Sequence, residues 1–150
     1  MNDRELGSMY VENETIKIVE IGADPQRRAA FMTSLSTILW DAHTYENEKI
    51  VAEWIANVDG KDVAWGLLES TGTDSVRCFV AVKIDYRRQG LGSLMYSFAT
   101  DLAIRYRKKE ITASCDASSE AAIVILDKNE FEQVEQLPGT IRFRKALKWM

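Results

Sequence analysis

The chain has 150 residues, 46% of them hydrophobic and 28% charged, and a formal net charge of −4. These values suit one globular domain with a real core. No apolar run approaches the ~20 residues a membrane span needs, and the mild negative charge argues against a broad nucleic-acid footprint. Taken in order, Met1 to Thr15 is polar and has no signal-peptide hydrophobic region. It is expected to be loose up to about Tyr10. Thr15 to Ile21 reads as a strand. Asp24-Pro25 sets an N-cap before a proline at N1. Arg28, Phe31, Met32, Leu35, Ile38 and Leu39 follow at helical spacing, which predicts a helix to about Ala42. Ala42 to Lys49 is a polar connection with room for a short second helix.

Ile50 to Val58 and Asp62 to Ser70 flank Asp59-Gly60-Lys61. Asp-Gly between two apolar-rich runs is a strong hairpin signal. Thr71-Gly72-Thr73-Asp74 then turns the chain into a strand over Ser75 to Val82, so three antiparallel strands come in succession. A long helix follows, with Leu91, Leu94, Met95, Phe98, Leu102 and Tyr106 on one face. Arg105, Arg107, Lys108 and Lys109 crowd its end, where cations favour the negative pole of the helix dipole. Glu110 to Ser114 reads as the next strand. Asp116, Ser118 or Ser119 can cap a helix from Glu120 to about Asn129. Glu132 to Gln136 and Ile141 to Leu147 flank Leu137-Pro138-Gly139-Thr140, a closing hairpin. A strand–helix–strand unit is parallel and right-handed. The strands before and after the long helix should therefore be parallel neighbours in a mixed α/β sheet, mostly antiparallel, with helices on both faces.

The chemistry concentrates in Arg87-Arg88-Gln89-Gly90-Leu91-Gly92-Ser93, at the start of the long helix. The first amides of a helix have no intrahelical partner and sit at the positive end of its dipole. An anion held there gains charge-assisted hydrogen bonds. Gly90 and Gly92 let the backbone approach the anion and take positive φ. Arg87 and Arg88 add charge, and Gln89 and Ser93 add polar groups. Two other phosphate loops do not match. No lysine follows Gly92, as a Walker loop requires, and Met95 stands where the dinucleotide fingerprint has its third glycine.

The pattern [QR]-x-x-G-x-[GA] over Arg87 to Gly92, the strand Val80-Ala81-Val82 before it, and the entry Asp85-Tyr86-Arg87 together resemble the acetyl-CoA site of the Gcn5-related N-acetyltransferases, with Ile84 in place of the usual proline. The order of elements from about Thr15 onward resembles that family's fold as well. The resemblance implies an enzyme that moves the acetyl group of acetyl-CoA directly to a primary amine of a small molecule or protein. It implies that acyl-CoA lies where two parallel strands part. Backbone groups around Val80, Ala81 and Val82 would pair with the pantetheine arm, and amides from Arg88 to Ser93, through Gln89, Gly90, Leu91 and Gly92, would take the pyrophosphate.

Three positions in the later part of the chain depart from the family. Ser119-x-x-Ala122-x-x-Ile125-Leu126-x-x-x-Glu130-Phe131 resembles N-x-x-A-x-x-[FL]-Y-x-x-x-G-F, with Ser119 for Asn, Leu126 for Tyr and Glu130 for Gly. The family's tyrosine commonly protonates the leaving thiolate. A free thiol has a pKa of ~8.5, so the thiolate is a tolerable leaving group, and Ser119, Cys115 or water can stand in as acid. An alkylammonium ion has a pKa near ~10 and must lose a proton before attack. Glu69, at a central strand end, is the first candidate base, with Asp74, Glu53 and Asp116 as alternatives. His43, Trp40 and Tyr45 lie in the segment that usually covers the acceptor.

Two cysteines, Cys78 and Cys115, make neither a disulfide framework nor a metal cluster, and a cytoplasmic, reduced setting is the simplest expectation. No nucleic-acid or membrane partner is expected, and the last strands offer an edge through which a homodimer can form. A weakened domain that binds acyl-CoA as a sensor or interaction module is the main competing reading, on Leu126 and Ser119. A nucleotide or nucleic-acid binder using Arg87, Arg88 and the cluster from Arg105 to Lys109 is a third, although that cluster reads more simply as a capped helix end.

Overall fold

The structure is a computed structural model, and it describes residues 3–11, 14–35, 45–87 and 90–148. Five consecutive strands, β1 (Arg4–Val11), β2 (Glu14–Ile21), β3 (Ile50–Val58), β4 (Lys61–Ser70) and β5 (Ser75–Val82), form an antiparallel meander. Then come α2 (Leu91–Arg105), β6 (Glu110–Asp116), α3 (Glu120–Lys128), β7 (Glu132–Leu137) and β8 (Thr140–Ala146); α1 (Pro25–Ser34) lies between β2 and β3. The sheet order is β1-β2-β3-β4-β5-β6-β8-β7. Among the described residues β5 and β6 are the one parallel pair, because α2 crosses over between them. The mixed, mostly antiparallel sheet with helices on both faces is as the element order predicts.

Turn chemistry sets the registers. Asp59 and Gly60 take φ 49° and 83°, as a two-residue type I′ hairpin requires, and Gly60 N–H donates to Asn57 Oδ1 at 2.9 Å. In the last hairpin Gly139 follows Pro138 with φ 77°, the type II pattern.

The N-terminal residues, expected to be loose, form β1 instead. Arg4 pairs with Glu20 of β2, and the Tyr106 hydroxyl donates to the same carboxylate at 2.6 Å. Leu6, Met9 and Val11 pack on the core. A bulge between Glu5 and Gly7 breaks the period of two, and this hid the strand from a search for strict alternation.

Helix α1 is shorter than its apolar spacing suggested. Asp24 caps it, accepting from Arg27 N–H at 3.0 Å. It stops at Ser34, and Leu35 is already extended. Thr33 Oγ1 donates to Ala29 O and Ser34 Oγ to Phe31 O, so two hydroxyls compete for the carbonyls that would carry the helix on. Ile38 and Leu39 lie outside the described residues.

Both later helices end in Schellman motifs. After α2, Lys108 N–H reaches Ala103 O and Arg107 N–H reaches Ile104 O, with Arg107 at φ 63°. After α3, Phe131 N–H reaches Leu126 O and Glu130 N–H reaches Asp127 O, with Glu130 at φ 68°. Arg107, Lys108 and Lys109 therefore lie past the helix end rather than in its last turns.

The sheet has a core on each face. Under α2 and α3 it holds Ile18, Trp54, Leu68, Val76, Met95 and Leu126. Under α1 it holds Ile21, Phe31, Ile55, Trp65 and Leu67. Gly66 of β4 lies under the Trp54 indole, and a Cβ there would come within 2.3 Å of it.

Candidate active site

β5 and β6 pair over three positions only: Ser75 with Glu110, Val76 with Ile111, and Arg77 with Thr112. Beyond them β5 stays with β4 as far as Val82, while β6 stays with β8 as far as Asp116. Residues 78–82 and 113–116 thus line the two sides of a cleft that opens at Arg77.

Register decides which backbone groups face it. Lys83 N–H donates to Val63 O, and antiparallel pairs alternate in the groups they exchange. Ala81, opposite Trp65, therefore gives its N–H and C=O to β4. Cys78, Val80 and Val82 turn theirs to the cleft. Val76 follows the same parity, since its carbonyl accepts from Thr112 Oγ1 at 3.4 Å. Val80 and Val82 are thus placed as an extra-strand pairing requires. Ala81 is not, and its side chain is core on the α1 face.

The cleft runs toward the N-terminus of α2. Gly90 is the N-cap in the left-handed region, φ 84° and ψ −1°, with no side-chain cap. The first-turn amides are left without a side-chain acceptor at the positive pole of the helix. Arg87 Nε donates to Val82 O at 3.0 Å, which holds the guanidinium at that end of the cleft. Arg88 and Gln89 lie outside the described residues. Leu91 offers only its backbone, because its side chain is sealed in the core. Gly92 differs from expectation. A Cβ on it would meet Ile125 Cδ1 of α3 at 3.3 Å and Val82 Cγ2 at 3.9 Å. Its smallness serves close packing between α2, α3 and β5. Ser93 Oγ accepts from Asn129 Nδ2 at 3.1 Å, tying α2 to the end of α3 and leaving the hydroxyl proton free to donate.

Glu69 is buried on β4, opposite Arg77 of β5 and Ile50 of β3. It stands level with the point where the cleft opens, one strand away, or about 5 Å. The alternative carboxylates have their own partners and places. Glu53 is sealed: Arg28 donates to it from Nε and Nη2, both at 2.9 Å, Trp65 Nε1 at 2.6 Å, and Asp24 N–H at 3.1 Å. Asp74 pairs with Lys109, and its carbonyl accepts from Lys109 and Glu110 N–H. Asp116 accepts from both the amide and the hydroxyl of Ser118, which hold its carboxyl below the usual range.

Ser119 is the N-cap of α3 and accepts from Ala122 N–H at 3.3 Å. Leu126 is 0% exposed. It is the Schellman residue whose carbonyl takes Phe131 N–H, so a phenol there would enter the core and not the cleft. Cys78 and Cys115 are free thiols. Burial pushes both up in pKa, which makes them poor nucleophiles. Tyr45 meets Trp65 and Phe79 edge to face at 5.6 and 5.2 Å, with the Arg28 guanidinium 5.4 Å from its ring centre. These contacts build an aromatic wall on the α1 face that the sequence did not foretell. Trp40 and His43 lie outside the described residues. A recess of about 420 Å³ lined by Thr100, Ile104, Glu130 and Lys145 lies along the C-terminal half of α2, away from the cleft.

Comparison with known proteins places the fold. The model of the acetyltransferase (GNAT) family matches residues 16–131. No curated protein sequence matches the chain. Among solved structures, the ribosomal-protein-S18-alanine N-acetyltransferase of Escherichia coli superposes with a TM-score of 0.73 at 19% identity, covering 89% of this chain and 96% of that one. The GNAT domain of S. lividans PAT gives 0.76 at 13% identity, covering 97% of each. A Salmonella typhimurium protein, yncA, described as an acetyltransferase and solved with its cofactor acetyl-CoA, gives 0.69 at 16% identity, covering 87% and 94%. At such identities the superpositions show the shared fold. With the family model spanning most of its length, the chain belongs to the GNAT acetyltransferase family.

Proposed function

We propose that this protein transfers the acetyl group of acetyl-CoA directly to a primary amine, with no acyl-enzyme. The observation that carries the reading is the cleft between β5 and β6 with the open α2 N-terminus at its end. The residues present fit the cosubstrate. Val80 offers a backbone donor and acceptor, and Val82 its N–H, for an extended amide-bearing arm. Arg87 and the amides of Gly90 to Ser93 offer a cradle for two phosphates. When bound there, the thioester supplies an activated acyl group.

The chain does the rest by placement. A cleft-facing N–H of β5 polarises the thioester carbonyl and meets the oxyanion that forms during attack. Glu69 takes the proton of the acceptor ammonium, directly or through one water. Tyr45 and Phe79 flank the acceptor on the α1 face. The amine displaces the thiol with no covalent enzyme intermediate: a C–N bond forms, the C–S bond breaks, and the proton that the nitrogen then sheds passes through water to the departing thiolate.

Free-thiol release from acetyl-CoA over a panel of amines and peptide N-termini tests this. Turnover is expected with at least one amine and is expected to fall at least tenfold in Glu69→Gln. A second reading, an acyl-CoA sensor, draws on Leu126 in the core and Ser119 as a helix cap. Tight CoA binding with no turnover on any amine would favour it.

A further inference from the structure

Helix α2 turns one side toward α3. Gly92 faces Ile125, Ser93 bonds Asn129, and the Tyr96 ring meets Phe131 edge to face at 6.0 Å. Tyr96 is one turn beyond Gly92, and the thiols of Cys78 on β5 and Cys115 on β6 lie close enough to act on its phenol. Those two strands are the ones that part. Cys78 is the first residue of β5 beyond the last parallel pair, Arg77 with Thr112. Tyr96 thus sits beneath the opening of the cleft on the α2 face. Glu69, on the α1 face, stands at the same level of the sheet.

Among the described residues no hydrogen bond reaches the Tyr96 hydroxyl. A phenol in apolar surroundings normally finds a partner. Tyr96 as a residue is half-buried, which leaves its unpartnered hydroxyl to donate to a ligand where the strands part.

We propose that Tyr96 donates a hydrogen bond to the sulfur of CoA as the thiolate departs, so that α2 supplies the hydroxyl that α3 lacks at Leu126. This rests on the acyl-CoA reading above. Burial pushes the phenol up, and the two neighbouring thiols push the same way, so it stays protonated. It therefore steadies the thiolate without losing its proton. The ammonium's first proton goes to Glu69, and the proton that the nitrogen sheds after attack passes through water to the thiolate.

The test uses the whole chain and CoA itself. Tyr96→Phe keeps the ring on Phe131 and removes only the hydroxyl. The pKa of the bound CoA thiol is read from thiolate ultraviolet absorbance at saturating CoA, as the difference from the CoA-free protein, which cancels any titration of Cys78 and Cys115. The proposal predicts a bound thiol about one unit less acidic in the variant, with unchanged affinity at a pH where the thiol is protonated. Equal values in the two proteins, with CoA bound, overturn the role of Tyr96 and leave the acyl-CoA site standing. Failure of wild type to bind CoA overturns both. With an amine that gives turnover, Tyr96→Phe is expected to slow transfer about tenfold for that one-unit loss. The deficit should shrink for thioesters of more acidic thiols. A deficit independent of the leaving thiol marks a structural role and overturns the proposal.

Discussion

Glu53 shows how a residue's meaning changes with its surroundings. Its carboxylate accepts two bonds from Arg28, one from Trp65 and one from the Asp24 amide. It joins α1 to the sheet and holds Arg28 over Tyr45. Removing one partner of a buried ion pair leaves an uncompensated charge, so Glu53→Ala should cost about 3–5 kcal/mol. Urea unfolding measures this, and a loss under about 1 kcal/mol would show that Arg28 finds another outlet. From sequence, Glu53 and Glu69 were both candidate bases. Nothing in a linear reading separates them, because Arg28 and Trp65 reach Glu53 only through folding. Gly92 is a similar case: its glycine was legible, and its reason, the approach of Ile125, was not. The positive φ expected at Gly90 is present, 84°, because a glycine just before a helix start has few other conformations to serve.

At the scale of elements, the Schellman ends of α2 and α3 carry Arg107 and Glu130 at positive φ. An L side chain in that region costs about 1–2 kcal/mol, and glycine relieves it at some entropic cost. Glu130→Gly should therefore stabilise by about 1 kcal/mol and raise the melting temperature by about 2–4 °C. A lower melting temperature would mean that the Glu130 side chain makes a compensating contact. Hairpins with Asp59-Gly60 and Pro138-Gly139 were legible because turn residues have few alternatives. Strand β1 was not, because its bulge spoiled the alternation. The end of α1 was not, because Thr33 and Ser34 turn their hydroxyls back on the helix ladder.

At the scale of the molecule, one topological event makes the site. The crossover through α2 forces β5 and β6 to run parallel. Separate antiparallel partners, β4 and β8, then draw them apart after three pairs. The parallel pair was legible from the strand–helix–strand order. The insertion of β8 between β6 and β7 was not, since it depends on sheet packing and not on any local signal. The cleft presents the backbone groups of Cys78, Val80 and Val82 along one edge, with Glu69 on one face of the sheet and Tyr96 on the other. Amide hydrogen exchange with and without acetyl-CoA tests this arrangement most directly. With acetyl-CoA, exchange is expected to slow at the cleft-facing amides of residues 78, 80 and 82 and at residues 91–93, with β1 to β3 unchanged. No protection at those amides, or protection centred on the recess beside Thr100 and Lys145, would contradict it.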